Sequence, residues 1–141
     1  MEQAALPVVL DTNVLVSLLI FEDERFDCLK AAWGQQRIQV FSNDAVRQEL
    51  ARVLQYPAFV GRTDPEQVLA FYDGHVLSGD AIAGALPLCR DPDDQKFIAL
   101  AAGTASFLIT DDKQLLRMRR RVSFQIETPL NFQRRFLMNL E

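Results

Sequence analysis

Histidine and cysteine are almost absent from this chain: one histidine, His75, and two cysteines, Cys28 and Cys89, in 141 residues. That shortage argues strongly against a structural zinc site, which is built from clustered Cys and His ligands. The two cysteines are expected to behave as small apolar residues in a reducing compartment rather than as a bridge. No apolar run approaches the roughly 18 residues that a membrane span requires. The start, Met1 to Leu6, lacks the basic and apolar segments of a secretory signal. The expectation is a cytoplasmic protein with no membrane partner. Neither a glycine-rich phosphate loop nor a serine–histidine pairing occurs, which argues against a nucleotide-dependent enzyme or an acyl hydrolase.

What is present is an ordinary globular balance, 49% hydrophobic and 24% charged, enough for one domain over residues 1–141 with a real core. The net charge of −4 is unevenly divided. Residues 1–112 hold 8 Lys+Arg against 17 Asp+Glu, whereas residues 113–141 hold 7 against 2. A basic end beside an acidic body is a hint of contact with a polyanion, although a solvated helix face gives the same count.

Strand and helix signals alternate along the chain. Pro7–Leu10 reads as a buried strand, followed by a helix capped by Thr12 or Asn13 and running to Leu18 or Leu19. Arg25–Gly34 reads as helix, Ile38–Phe41 as strand, and Ser42 or Asn43 opens a helix to about Leu54. Thr63-Asp64-Pro65-Glu66 starts another helix, ending near Ser78-Gly79. Asp80–Arg90 is ambiguous, with room for a short strand at Ala85-Leu86 or Leu88-Cys89. Asp91-Pro92 begins a helix ending at Gly103; Ser106–Thr110 is a strand; a short helix passes through Leu115-Leu116; Val122–Ile126 alternates as a strand. Thr128-Pro129 opens a last helix bearing Leu130, Phe132, Phe136, Leu137 and Leu140. The ten Phe and Trp33 fall mostly on apolar faces, and His75 reads as a packed or surface residue. Such alternation predicts an α/β fold with a mainly parallel sheet and helices on both faces.

Four acidic residues stand out against this frame. Asp11 and Asp112 follow strand patterns, near the sheet edge where α/β proteins bind ligands. Glu49 lies three residues after Val46 and four before Val53, on or beside the inward face of its helix. Asp94 precedes Phe97, Ile98 and Ala101 at helical spacing, so it begins an inward stripe. Each also has a plain explanation. Asp11 and Asp112 could be helix caps, Glu49 could pair with Arg47 or Arg52, and Asp94 could sit in a helix start capped by Asp91. Convergence of all four would be harder to explain that way, because clustered carboxylates repel one another and resist burial. An oxygen-only donor set suits Mg²⁺ or Mn²⁺, ions that bind phosphate oxygens and activate water. The doubled acids leave two registers open, Asp93 against Asp94 and Asp111 against Asp112; the inward stripe chooses Asp94 and helix position chooses Asp112.

These motifs, taken in order, resemble the PIN-domain family. They are Leu10-Asp11-Thr12-Asn13, an isolated Glu49, Arg90-Asp91-Pro92-Asp93-Asp94-Gln95-Lys96-Phe97, and Leu108-Ile109-Thr110-Asp111-Asp112. The Asp-Pro-Asp-Asp form is similar to a bacterial branch of toxins from toxin–antitoxin systems, related to VapC toxins. The resemblance implies a three-layer α/β/α sandwich and metal-dependent cleavage of single-stranded RNA, leaving a 5′-phosphate and a 3′-hydroxyl. It also implies a small antitoxin partner and is compatible with a homodimer. Asp11, Glu49, Asp94 and Asp112 fall on the family's acidic positions, with Asn13 and Thr110 on supporting polar ones. Gln95 stands where this branch more often has Asn, a departure that leaves the four acids intact. RNA phosphates would meet Arg90, Lys96, Lys113, Arg117, Arg119, Arg120 or Arg121; the triple Arg could equally serve a solvated turn or an antitoxin contact. Two other readings remain: a silent PIN-like binding module, and a phosphohydrolase with an aspartyl nucleophile. The latter usually needs a second Asp two residues after the first, where this chain has Asn13.

Overall fold

The computed structural model describes residues 4–82, 84 and 86–138. Among them, five parallel strands make one sheet: β1 (Leu6–Leu10), β2 (Ile38–Ser42), β3 (Val76–Ser78), β4 (Phe107–Ile109) and β5 (Ile126–Glu127). Their order is β3-β2-β1-β4-β5. The chain therefore leaves β1 toward one edge through β2 and β3, and returns to the other side through β4 and β5. That reversal makes the gap beyond the carboxyl ends of β1 and β4 the topological switch point, where α/β sheets bind ligands.

The helices are α1 (Thr12–Leu19), α2 (Asp27–Gly34), α3 (Asp44–Val53), α4 (Pro65–His75), α5 (Gln95–Thr104), α6 (Lys113–Leu116) and α7 (Pro129–Phe132). Side chains of β1 alternate between two cores. Val8 and Leu10 meet Leu15 and Leu18 of α1, Leu29 of α2, Tyr72 of α4 and Phe132 of α7. Val9 meets Phe97, Ile98 and Ala101 of α5 and Leu115 of α6. The result is a three-layer α/β/α sandwich. Helix α3 serves both cores, Val46 in the second and Leu50 in the first, so Glu49 stands between two anchored faces.

Local chemistry sets the helix starts. Asn43 accepts the Val46 N–H at 3.0 Å and caps α3, leaving Ser42 to end β2 and accept the Tyr72 hydroxyl at 2.6 Å. Asp64 accepts the Glu66 N–H at 3.0 Å, with Pro65 in the first turn of α4. Both follow the usual economy of orphan N–H groups at helix ends.

The structure departs from the sequence expectations in several places. The helix from Asp64 stops at His75, and Val76–Ser78 is not its tail but an edge strand on β2. A β-branched start and an available ladder on β2 outweigh the helical pattern there. Within Asp80–Arg90 no described residue forms a strand; Ala85 lies outside the described residues, as does Leu140. The last strand is only Ile126–Glu127, so Val122–Gln125 is irregular. The last helix gives way after α7 to a wider turn over Gln133–Leu137, and its Leu130 is exposed. Gly103 does not end α5. The helix runs to Thr104, and Ala105 turns it off in the left-handed region at φ 53°.

Gly103 has a different task. A Cβ there would lie 2.0 Å from the Asp80 carbonyl and 2.7 Å from the Ile82 nitrogen. The segment Asp80–Ile82 lies against α5, with the Ile82 N–H donating to the Ala99 carbonyl at 3.0 Å. Gly103→Ala is expected to destabilise the protein by about 1–3 kcal/mol through overpacking. Gly34→Ala, where a Cβ meets nothing within 4 Å, is the control. Denaturant melts of both variants check this, and equal midpoints would refute the close approach.

Candidate active site

Asp11 directly follows β1, and its N–H continues the ladder by donating to the Ile109 carbonyl at 3.0 Å. It occupies the N-cap position of α1, yet its side chain caps nothing. Instead Oδ2 accepts the Thr110 hydroxyl at 2.6 Å. Thr110 Oγ1 in turn accepts the Asp112 N–H at 2.9 Å. One fully buried hydroxyl thus joins the end of β1 to the turn after β4. Asp112 does act as a cap, accepting the Gln114 N–H at 2.8 Å to start α6.

Asp94 ends a 3₁₀ turn, Pro92–Asp94, that runs into α5. The capping of that turn falls to Asp91, which accepts the Asp93 N–H at 3.0 Å. The Asp94 side chain makes no cap bond and is free to meet other acids. Its carboxyl is pushed up to about 7, first by burial and then by the neighbouring charges of Asp112, Asp11 and Asp91. The Asp11 carboxyl is raised too, chiefly by burial, with Asp112 and Glu49 adding to the rise and the Thr110 hydrogen bond opposing it. These are groups that interact across a short gap without enough positive charge between them.

Glu49 is differently placed. Its Oε2 accepts the Thr12 hydroxyl at 2.6 Å, and its Oε1 accepts from Lys96 Nζ. Arg52 stands 3.7 Å away as a weaker, more exposed partner. Arg47, the other candidate partner, binds Asp73 at 2.7 Å instead.

Of the doubled acids, Asp93 and Asp111 are exposed, while Asp94 and Asp112 turn inward beside Asp11. Asn13 is exposed on the first turn of α1, and the hydroxyl that reaches the cluster is that of Thr12. Sequence reasoning treated Thr12 only as a possible cap and Lys96 only as a phosphate contact. Helical spacing on α1 and α5 put both near the site, but their shared partner is 37 and 47 residues away in sequence. Gln95 holds the preceding loop, donating to the Pro87 carbonyl at 3.0 Å and accepting the Cys89 N–H at 2.7 Å. Burial, with Asp94 and Asp112, pushes the Cys89 thiol up to about 11, which leaves it inert.

The basic candidates separate into four groups. Lys96 turns inward to Glu49. Arg90, Arg117 and Arg121 line a shallow cavity of about 210 Å³ with Leu88, Gln114 and Met118, next to the Asp112 turn through Gln114. Arg119 turns elsewhere: its Nε donates to the Ile126 carbonyl at 3.0 Å. It lines a larger groove, about 490 Å³, with Arg134 and Arg135, which none of the four acids touches. Lys113 and Arg120 are exposed. One acid escaped sequence reasoning altogether. Glu127 is buried at the end of β5 and pairs with Arg135 at 2.6 Å; its strand is too short for a periodic signal.

The donor set is all oxygen, which fits a hard divalent cation better than zinc or copper. Among the described residues, no three carboxylates already close around a single ion position. Asp11, Asp94 and Asp112 are instead neighbours whose charge a cation would neutralise. No helix among the described residues is long and apolar enough to cross a membrane.

Two solved structures share this architecture. A VapBC2 complex from Rickettsia felis, bound to a DNA fragment from its promoter, aligns with a TM-score of 0.61 at 13% identity, over 87% of this chain and 98% of that one. PAE2754 from Pyrobaculum aerophilum aligns with a TM-score of 0.56 at 16% identity, over 94% of this chain and 92% of that one. No curated protein matches the chain. The family model described as PIN domain matches residues 7–114, a span that contains Asp11, Glu49, Asp94 and Asp112. The chain belongs to the PIN domain family.

Proposed function

We propose that the protein is a Mg²⁺- or Mn²⁺-dependent ribonuclease that hydrolyses single-stranded RNA, acting as the toxin of a toxin–antitoxin pair. The observation that carries this reading is the grouping of Asp11, Asp94 and Asp112 at the switch point, short of neutralising charge. Family membership supports the nuclease part, and the fold shared with a VapBC complex supports a small antitoxin partner.

In this reading Asp11, Asp94 and Asp112 hold the cation. When bound, it would lower the pKa of a water and take up negative charge on the phosphate. Thr110 keeps one Asp11 oxygen turned toward the gap. Glu49, fixed by Thr12 and Lys96, orients the attacking water. Arg90, Arg117 and Arg121 draw the polyanion to an otherwise acidic edge. No side-chain nucleophile is required, so phosphate never becomes attached to Asp11.

Labelled single-stranded RNA is expected to be cut with Mg²⁺ or Mn²⁺ and left intact with EDTA. Asp11→Asn and Asp94→Asn should each lower the rate by at least about 100-fold, the scale of losing a preorganised charge-stabilising group. Metal-independent cutting, or full activity in both variants, would refute the site; a phospho-aspartate at Asp11 would favour the phosphohydrolase instead.

The raised acids set a pH dependence. Both carboxyls hold protons more tightly in the folded chain than unfolded. Their stabilising contribution is therefore complete below about pH 4 and lost as pH rises through about 7, the folded value of Asp94. The metal-free protein should melt lower at pH 8 than at pH 5.5, by on the order of a few °C, with the drop reduced in Asp94→Asn. Mg²⁺ should raise the melting temperature at pH 8 and have little effect at pH 5.5, because binding competes with protons. An identical profile for native protein and Asp94→Asn would contradict this.

The arginine cavity predicts a change in salt dependence. Arg117→Gln and Arg121→Gln should each reduce the slope of log K against log salt by about 0.7 for single-stranded RNA, one phosphate contact apiece. Arg134→Gln, on the separate groove, should leave it unchanged. Anisotropy titrations at several salt concentrations with EDTA present measure this without cleavage.

A further inference from the structure

Glu49 is the one acid of the four whose charge is already matched. Its oxygens are occupied by the Thr12 hydroxyl and by Lys96 Nζ. The pair is not a surface ornament: the Lys96 and Glu49 side chains are 20% and 14% exposed. Exposed ion pairs contribute little, whereas a partly buried pair left without one partner is costly. By contrast, no ion pair recorded among the described residues includes Asp11, Asp94 or Asp112. The lysine reaches Glu49 because α5 begins at Gln95, immediately after Asp94, and packs beside α3. The same helical turn therefore carries an acid to one side of the cluster and an ammonium to the other.

We propose that Lys96 is a built-in monovalent cation that claims Glu49, so that the site takes a single divalent ion, held by Asp11, Asp94 and Asp112. This rests on the nuclease reading and deepens it. Lys96 is a positioning residue. It acts through Glu49, which it keeps out of direct contact with the metal and oriented toward water. Asp11 and Glu49 lie near enough for the Glu49 charge to help raise the Asp11 carboxyl, and a second divalent ion would be drawn to that pair. The ammonium fills that need without recruiting one from solution.

The test is Mn²⁺ uptake by the metal-free, full-length protein, with free Mn²⁺ counted by electron paramagnetic resonance. Native protein and Lys96→Arg, which keeps the charge, are expected to bind one ion each. Glu49→Gln should still bind one. Lys96→Met, which frees Glu49, should bind two; Lys96→Gln serves instead if the Met variant does not melt cooperatively. Two ions in the native protein would overturn the proposal, as would one ion in a folded, uncharged Lys96 variant. Asp11→Asn distinguishes failure of the metal site from failure of the Lys96 role. If the native protein takes up no Mn²⁺, and Asp11→Asn is indistinguishable from it, the nuclease reading itself fails, whereas a second native ion sinks only the role of Lys96.

Discussion

Everything at the candidate site depends on a buried carboxylate, Asp11, placed at the end of the central strand where the sheet reverses its winding. Only 5% exposed, it would be an unfavourable group to bury alone. The Thr110 hydroxyl makes the position tenable by donating to Oδ2 and accepting the Asp112 N–H. That pair of bonds couples two strands and fixes two of the acids relative to one another. Asp94 arrives from a third element, its side chain left free because Asp91 takes the capping role.

The four acids have unequal environments, and this decides what each can do. Asp94 and Asp11 are held above the ordinary carboxylate range, burial first and repulsion second. Glu49 has a lysine and a threonine. Electrostatically the cluster is three acids in need of a cation and one with its own. The surrounding basic residues are likewise not interchangeable. Lys96 is an internal partner, Arg90, Arg117 and Arg121 share a cavity beside the acids, and Arg119 braces the edge strand β5 on a separate groove.

Much of this was legible in the residues. The buried run Val8–Leu10, the cap at Asn43 and the Asp64-Pro65 start all follow from local rules, and the inward register of Glu49 and Asp94 follows from helical spacing. The inward stripe also favours Asp94 over Asp93 and helix position favours Asp112 over Asp111, and the fold leaves Asp93 and Asp111 exposed. Val76–Ser78 was read as helix because its pattern continues that of α4. Only β2, 34 or more residues earlier, offers the hydrogen-bond ladder that makes it a strand. Gly103 looked like a stop signal and is instead a place where another backbone lies against the helix.

Sequence alone determined which residue types are available: many carboxylates, almost no imidazole or thiol, and hydrophobic periods that demand a layered α/β arrangement. It also determined, through those periods, that several acids border inward faces. Tertiary structure alone decided the pairings. Thr12 and Lys96 meet Glu49, Thr110 meets Asp11, Asp94 meets Asp112, and the arginines divide between two grooves. The physical reason is range. Periodicity and capping are fixed within a few residues, whereas neutralisation of a charge depends on groups brought within a few ångströms by the sheet order, across tens of positions in the chain.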